Sequence, residues 1–219
     1  IEKFSFKNKA EIDKAIEEVK SKKFNIDDIS SKIVNRNPSG PFTTSTLQQV
    51  SSGKLGFGAS RTMQIAQKLY QGIEIDGETI GLITYMRTDG TNLSTDAIDT
   101  FRKYIKNEFG DEYVPDSAAS YSGKKAKNAQ EAHEAIRPTD IMRAPDTVKK
   151  YLSPDQHKLY DLIWSRALSS QMKPAQFDRN TITINSDDYG TICKASGSVI
   201  KFDGFLRVMK DTKKDDDKD

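Results

Sequence analysis

A chain of 219 residues with 34 Lys and Arg against 32 Asp and Glu carries a formal charge of +2, a balance that neither demands nor excludes a polyanionic partner. Its single cysteine, Cys193, excludes an internal disulfide and makes a cytoplasmic location the default. No apolar run is long enough to span a bilayer, none has the pattern of a secretory leader, and the length suits one large domain or two modest ones.

Residues 1–42 read as strand, helix, strand. KFSF alternates, KAEIDKAIEEVKS sets Ile12, Ile16 and Val19 at helical spacing, FNIDDISSKIV returns to an extended pattern, and NRNPSGP is turn-rich. From Thr43 to about Gln171 the pattern is mostly helical. TTSTLQQVSSG offers hydroxyl caps, and ASRTMQIAQKLYQG carries Met63, Ile65, Ala66, Leu69 and Tyr70 and closes on Gly72. A turn is expected at Asp76-Gly77. STDAIDTFRKYIKNEFG starts at a Ser94 cap and ends at Gly110; SPDQHKLYDLIWSRALSSQM has a Ser153 cap with Pro154 at the first helical position. Between them DSAASYSGKKAKNAQ is small, polar and basic, the composition of a mobile surface loop.

After Pro174 the period falls to two, with turn clusters at Asp187-Asp188 and Ser196-Gly197. Strands therefore flank a helical middle, an α+β arrangement in which a β-rich element leaves for a helical insertion and returns. The end, DTKKDDDKD, has no apolar residue and reads as a solvated tail. With Ile1 in place of a starting methionine, the chain reads as an excerpt of a longer protein.

Few residues suit chemistry. The two histidines, His133 and His157, are far apart; HEAIR begins like a zinc-protease helix but has Arg137 where the second imidazole must stand. No metal site is expected in this chain. LGFGAS lacks the lysine and hydroxyl of a phosphate loop. There remain Tyr85 with Arg87 in GLITYMRTDGTNLS, and His133 with Arg137 in AHEAIRP.

A phenol with its pKa near 10 is a poor nucleophile unless a cation stabilises the phenolate. Attack on a phosphodiester spreads charge over non-bridging oxygens that a guanidinium fork can hold. In an extended segment residues 85 and 87 face the same side, about 6–7 Å apart, so one phosphate fits between them. Thr88, Asp89, Thr91 and Asn92 add short polar side chains to position it. On the residues alone a second reading stands: LITY as a core strand with Tyr85 at its edge and Arg87 solvated, and AHEAIR as a short helix stopped by Pro138.

LITYMRTDGTNLS and EAHEAIRPTD resemble the signature segments of the bacterial type IA DNA topoisomerases. PFTTSTLQQVSSGKLGFGASRTMQIAQKLY and YDLIWSRALSSQMKPAQFDRNTITI resemble the segments that precede and follow them, so the likeness runs from about Pro41 to Val208. The resemblance implies that Tyr85 attacks a single strand to form a 5′-phosphotyrosine, with strand passage and religation needing no ATP and negatively supercoiled DNA relaxed. Tyr85, Arg87 and His133 would be catalytic; Thr88, Asn92 and Arg137 would contact DNA.

It further implies residues 1–42 as the first half of a β-rich arch, 43–175 as a helical domain bearing the tyrosine, 176–208 as the returning half and 209–219 as the charged tail. Partners would be single-stranded DNA and negatively supercoiled duplex, acted on by a cytoplasmic monomer. Mg²⁺ would be bound by acidic residues of a Toprim domain of the same polypeptide, a pattern this chain lacks, so the chain alone is expected to be inactive. Gly90 stands where the family has serine after MRTD, which removes one hydroxyl contact. Two rivals stay open: a tyrosine recombinase, whose tyrosine would follow its arginines, and a non-catalytic single-strand-binding or scaffold module.

Overall fold

A computed structural model describes residues 6–121 and 134–209. In chain order its elements are α1 (Lys9–Ser21), β1 (Phe24–Arg36), α2 (Thr44–Leu55), α3 (Ala59–Gln71), β2 (Ile73–Ile75), β3 (Glu78–Ile80), α4 (Thr95–Phe109), α5 (Pro145–Val148), α6 (Pro154–Ser169), β4 (Ala175–Ser186) and β5 (Ile192–Phe202). The fold is α+β, and it divides into two compact units: Ile1–Asn35 with Gln176–Phe202, and Arg36–Ala175 with Asp203–Asp219.

The smaller unit is a three-stranded sheet of order β1-β4-β5, with α1 preceding it. β4 and β5 pair antiparallel from Gln176↔Phe202 to Asn185↔Ile192, joined by a turn in which Ser186 N–H donates to Thr191 O at 3.0 Å. Gly197 lies opposite Asn180 within that ladder. The turn expected at Ser196-Gly197 is therefore not there: small residues kept the ladder running where composition alone suggested a break. α1 forms as its spacing predicts, capped by Asn8, whose side chain accepts from Glu11 N–H, yet none of its residues is buried.

The larger unit holds the apolar core. α6 begins with a capping box between Ser153 and Gln156 and buries Leu159, Tyr160, Ile163, Trp164 and Leu168. Its two aromatic polar groups are satisfied inside: the Tyr160 hydroxyl donates to Arg143 O at 2.8 Å, and the Trp164 indole donates to Ile141 O at 3.0 Å. α3 buries Thr62, Ile65, Ala66 and Leu69, leaving Ser60, Gln64, Gln67, Lys68 and Gln71 on the other face. Phe42 and Phe205, at the two ends of the unit, are both buried in it. The β2–β3 hairpin turns at Asp76-Gly77, both with positive φ (51° and 89°), the pairing that a two-residue type I′ turn requires.

Candidate active site

Residues 81–88 do not form the core strand of the second reading. They run as an irregular segment with one isolated antiparallel bridge, Ile83↔Pro138. Side-chain hydroxyls replace the ladder. Thr84 Oγ1 donates to Ala135 O at 2.8 Å and accepts from Arg137 N–H at 3.0 Å, while Thr84 N–H donates to Arg137 O at 2.9 Å. Thr139 Oγ1 donates to Gly81 O at 2.7 Å. On the other flank Thr44 Oγ1 donates to Met86 O at 2.7 Å and accepts from Thr88 N–H at 2.8 Å.

This bonding, with Leu82, Ile83 and Met86 almost fully buried, leaves Tyr85 49% exposed. The apolar residues of the segment face the core and the phenol faces out, an exposure that fits both readings of Tyr85. Tyr85, Arg87, Thr88, Thr84, Tyr70 and Glu134 line one open pocket of about 310 Å³. The Tyr70 and Tyr85 rings meet edge to face, centroids 5.3 Å apart. α3 delivers Tyr70 here because Leu82 N–H donates to Leu69 O at 2.8 Å, and a Cβ on Gly81 would sit 2.7 Å from Tyr70 O. Among the described residues neither the Tyr85 phenol nor the Arg87 guanidinium has a hydrogen-bond or ion-pair partner.

The other expected site residues divide. Thr88 lines the pocket, and its hydroxyl accepts from Gly90 N–H at 3.0 Å. Asn92 does not line it; its backbone does structural work instead, with Ala135 N–H donating to Asn92 O at 2.9 Å beside the Asn92↔Glu134 bridge. Arg137 is also turned away. Its Nε donates to Glu134 Oε1 at 2.6 Å, its Nη1 donates to Pro138 O at 2.9 Å, and it lines a separate cavity of about 250 Å³ beside Asp96 and Thr100. His133 and most of the DSAASYSGKKAKNAQ segment lie outside the described residues.

Residues 134–138 are extended, with bridges to Phe42, Ile83 and Asn92, so the short helix suggested for AHEAIR is not formed there. Its backbone groups find cross-chain partners that no local period reveals.

Glu134 and Tyr70 were not singled out from sequence. Burial pushes the Glu134 carboxyl up, but the hydrogen bond from Arg137 and that from Ser94 N–H outweigh it and hold the pKa below its ordinary 4.5. The signal for Glu134 was its place between His133 and Arg137; for Tyr70, its place at the end of α3. Among the described residues no group of three or more His, Cys, Asp or Glu converges on a metal position. Glu134, the one carboxylate on the pocket, is already paired with Arg137, so these residues do not fit a magnesium site.

An exposed phenol, an unpaired guanidinium and short hydroxyls around one open pocket define a site suited to a phosphodiester. All 219 residues match the family model described as DNA topoisomerase. The chain is 50% identical over 212 residues to DNA topoisomerase 1 of Rickettsia bellii, covering 97% of this chain and 26% of that protein. With DNA topoisomerase 1 of Haemophilus influenzae it shares 44% identity over 207 residues, 94% of this chain and 22% of that one. A solved structure of full-length topoisomerase I from Thermotoga maritima superposes with a TM-score of 0.80 at 37% identity, covering 96% of this chain and 33% of that one.

The chain belongs to the DNA topoisomerase family. It spans about a quarter of the length of the curated relatives it matches.

Proposed function

We propose that this chain is the tyrosine-bearing part of a bacterial type IA DNA topoisomerase and that Tyr85 is its nucleophile. The phenol oxygen forms a bond to the scissile phosphorus, the P–O3′ bond breaks, and a 5′-phosphotyrosine and a 3′-hydroxyl result. The phenol proton lost is balanced by the proton gained on the 3′ oxygen. The ester keeps the bond energy, so religation reverses the step without ATP. Arg87 neutralises the charge that develops on the non-bridging oxygens, where a fixed guanidinium acts more strongly than in water. His133 is assigned to the same phosphate. Thr88 positions the pocket wall; Asn92 and Arg137 act at one remove, by holding the segment that carries Glu134.

The reading rests above all on one observation: Tyr85 and Arg87 share a pocket, unpartnered among the described residues, while their apolar neighbours are buried. In this reading residues 43–175 are a helical domain that swings as a body, and residues 1–42 with 176–208 are the two halves of an arch. Magnesium is held by a Toprim domain of the longer polypeptide, outside this chain. The substrates are single-stranded and negatively supercoiled DNA. The protein works as a monomer in the cytoplasm, and among the described residues no helix is long and apolar enough to cross a membrane.

The test is to produce the chain within its longer polypeptide, trap any covalent oligonucleotide and map it to a residue and a DNA end. A 5′-phosphate on Tyr85, lost in Tyr85→Phe while DNA binding persists, is the expected result. A 3′-phosphate adduct would mean recombinase-type chemistry, and an unchanged Tyr85→Phe enzyme would leave only a strand-binding module. The 219-residue chain alone is expected not to relax supercoiled plasmid.

A further inference from the structure

A second open groove, of about 780 Å³, lies along the outer face of α3 and includes Arg87 in its wall. Arg87 thus belongs both to this groove and to the tyrosine pocket. The groove's floor is a polar stripe in which Gln64, Gln67, Lys68 and Gln71 recur at the spacing of one helical face. Among the described residues none of these four side chains has a hydrogen-bond or ion-pair partner. The far end differs: Arg61 is paired with Asp155 and stacked over Phe57, its guanidinium carbon 4.8 Å from the ring centroid.

We infer that this groove holds the covalently retained strand downstream of the cleaved phosphate. Three glutamine amides and one ammonium lie in the lining beside Met63 and Ile65. Each amide both donates and accepts, so it bonds base edges and sugars of any sequence. Lys68 and Arg87 cover two phosphates. From Ser60 to Gln71 the helix rises about 16 Å, the length of about five stacked nucleotides. Tyr70 and Gln71 end α3 beside the tyrosine pocket, so a strand esterified to Tyr85 through its 5′-phosphate enters at Gln71 and runs 5′ to 3′ toward Ser60. The retained end is thereby held without help from any other part of a longer protein.

This inference rests on the proposed nucleophile for its polarity, and the test separates the two. The 219-residue chain is titrated with 5′-phosphorylated oligothymidylates of one to eight nucleotides, followed by fluorescence anisotropy. Affinity is expected to rise to about five nucleotides and level off. The slope of log affinity against log salt should be about −1.4 for two phosphates, falling by about 0.7 in Lys68→Gln. Gln64→Ala with Gln67→Ala should flatten the length dependence.

4-Thiothymidine placed next to the 5′-phosphate should crosslink near Gln71, and placed at the fourth or fifth position, near Ser60. Crosslinks in the opposite order, crosslinks away from α3, or an unchanged salt slope in Lys68→Gln would overturn the groove. Loss of these crosslinks with an intact Tyr85 adduct in the longer polypeptide sinks the groove alone; the converse sinks the chemistry alone.

Discussion

The two units of this chain share a covalent backbone but not a way of being stable. Among the described residues, every buried apolar side chain belongs to the larger unit. In the smaller unit Ser186 is the single buried residue among those described, while Ile26, Ile29, Ile33, Ile192, Val199 and Ile200 are each more than half exposed. Local pattern makes strands and helices in both; among the described residues, only those of the larger unit bury an apolar face. Periodicity reports which way side chains point, and burial needs a partner surface that periodicity does not contain.

The contrast can be tested hardest at the core. Ile83→Ala is expected to cost about 2–5 kcal/mol in urea unfolding, whereas Ile29→Ala, at a side chain more than half exposed, should stay within about 0.5 kcal/mol. Equal losses would erase the distinction. Next comes a buried hydrogen bond: Tyr160→Phe orphans the Arg143 carbonyl and should cost about 1–3 kcal/mol. Thr181→Val, which breaks an exposed contact to Ser196 of 3.3 Å, should cost almost nothing.

Helix caps sharpen the comparison further. Asn8→Ala and Ser153→Ala each remove a cap worth about 1 kcal/mol. In α1, which buries nothing, that loss should show as about fivefold faster amide exchange along the helix. In α6 the packed face should confine the effect to its first turn.

The smallest effect is electrostatic. The folded-state pKa of Glu134 is lowered, so ionisation favours the native state; this contribution is complete above about pH 4.5 and is lost as pH falls through the folded value. Glu134→Gln should remove that part of the acid dependence from the denaturation midpoint of the larger unit and leave the smaller unit's unchanged.

Much of this was readable in advance, for reasons that differ by residue. Ser94, Ser153, Gly72 and Gly110 bound their helices because caps are local chemistry. That Tyr85 and Arg87 would share one side was readable from their spacing, and the structure sets both on one pocket. The extended run at residues 134–138 was not, since its backbone hydrogen bonds go to Phe42, Thr84 and Asn92, all more than 40 positions away. The motif also gave no sign that the Arg137 guanidinium bonds Glu134 and Pro138.

The threonine bonds that replace a strand around Tyr85 have a mechanical consequence. Backbone groups on both flanks of the phenol are tied to α2 through Thr44 and to the 135–139 segment through Thr84 and Thr139. Tension applied through a strand esterified to Tyr85 would reach α2 and that segment before it could bend residues 81–88. If Tyr85 is the attachment point proposed above, it should keep its local geometry under pulling, and the compliance should lie farther away.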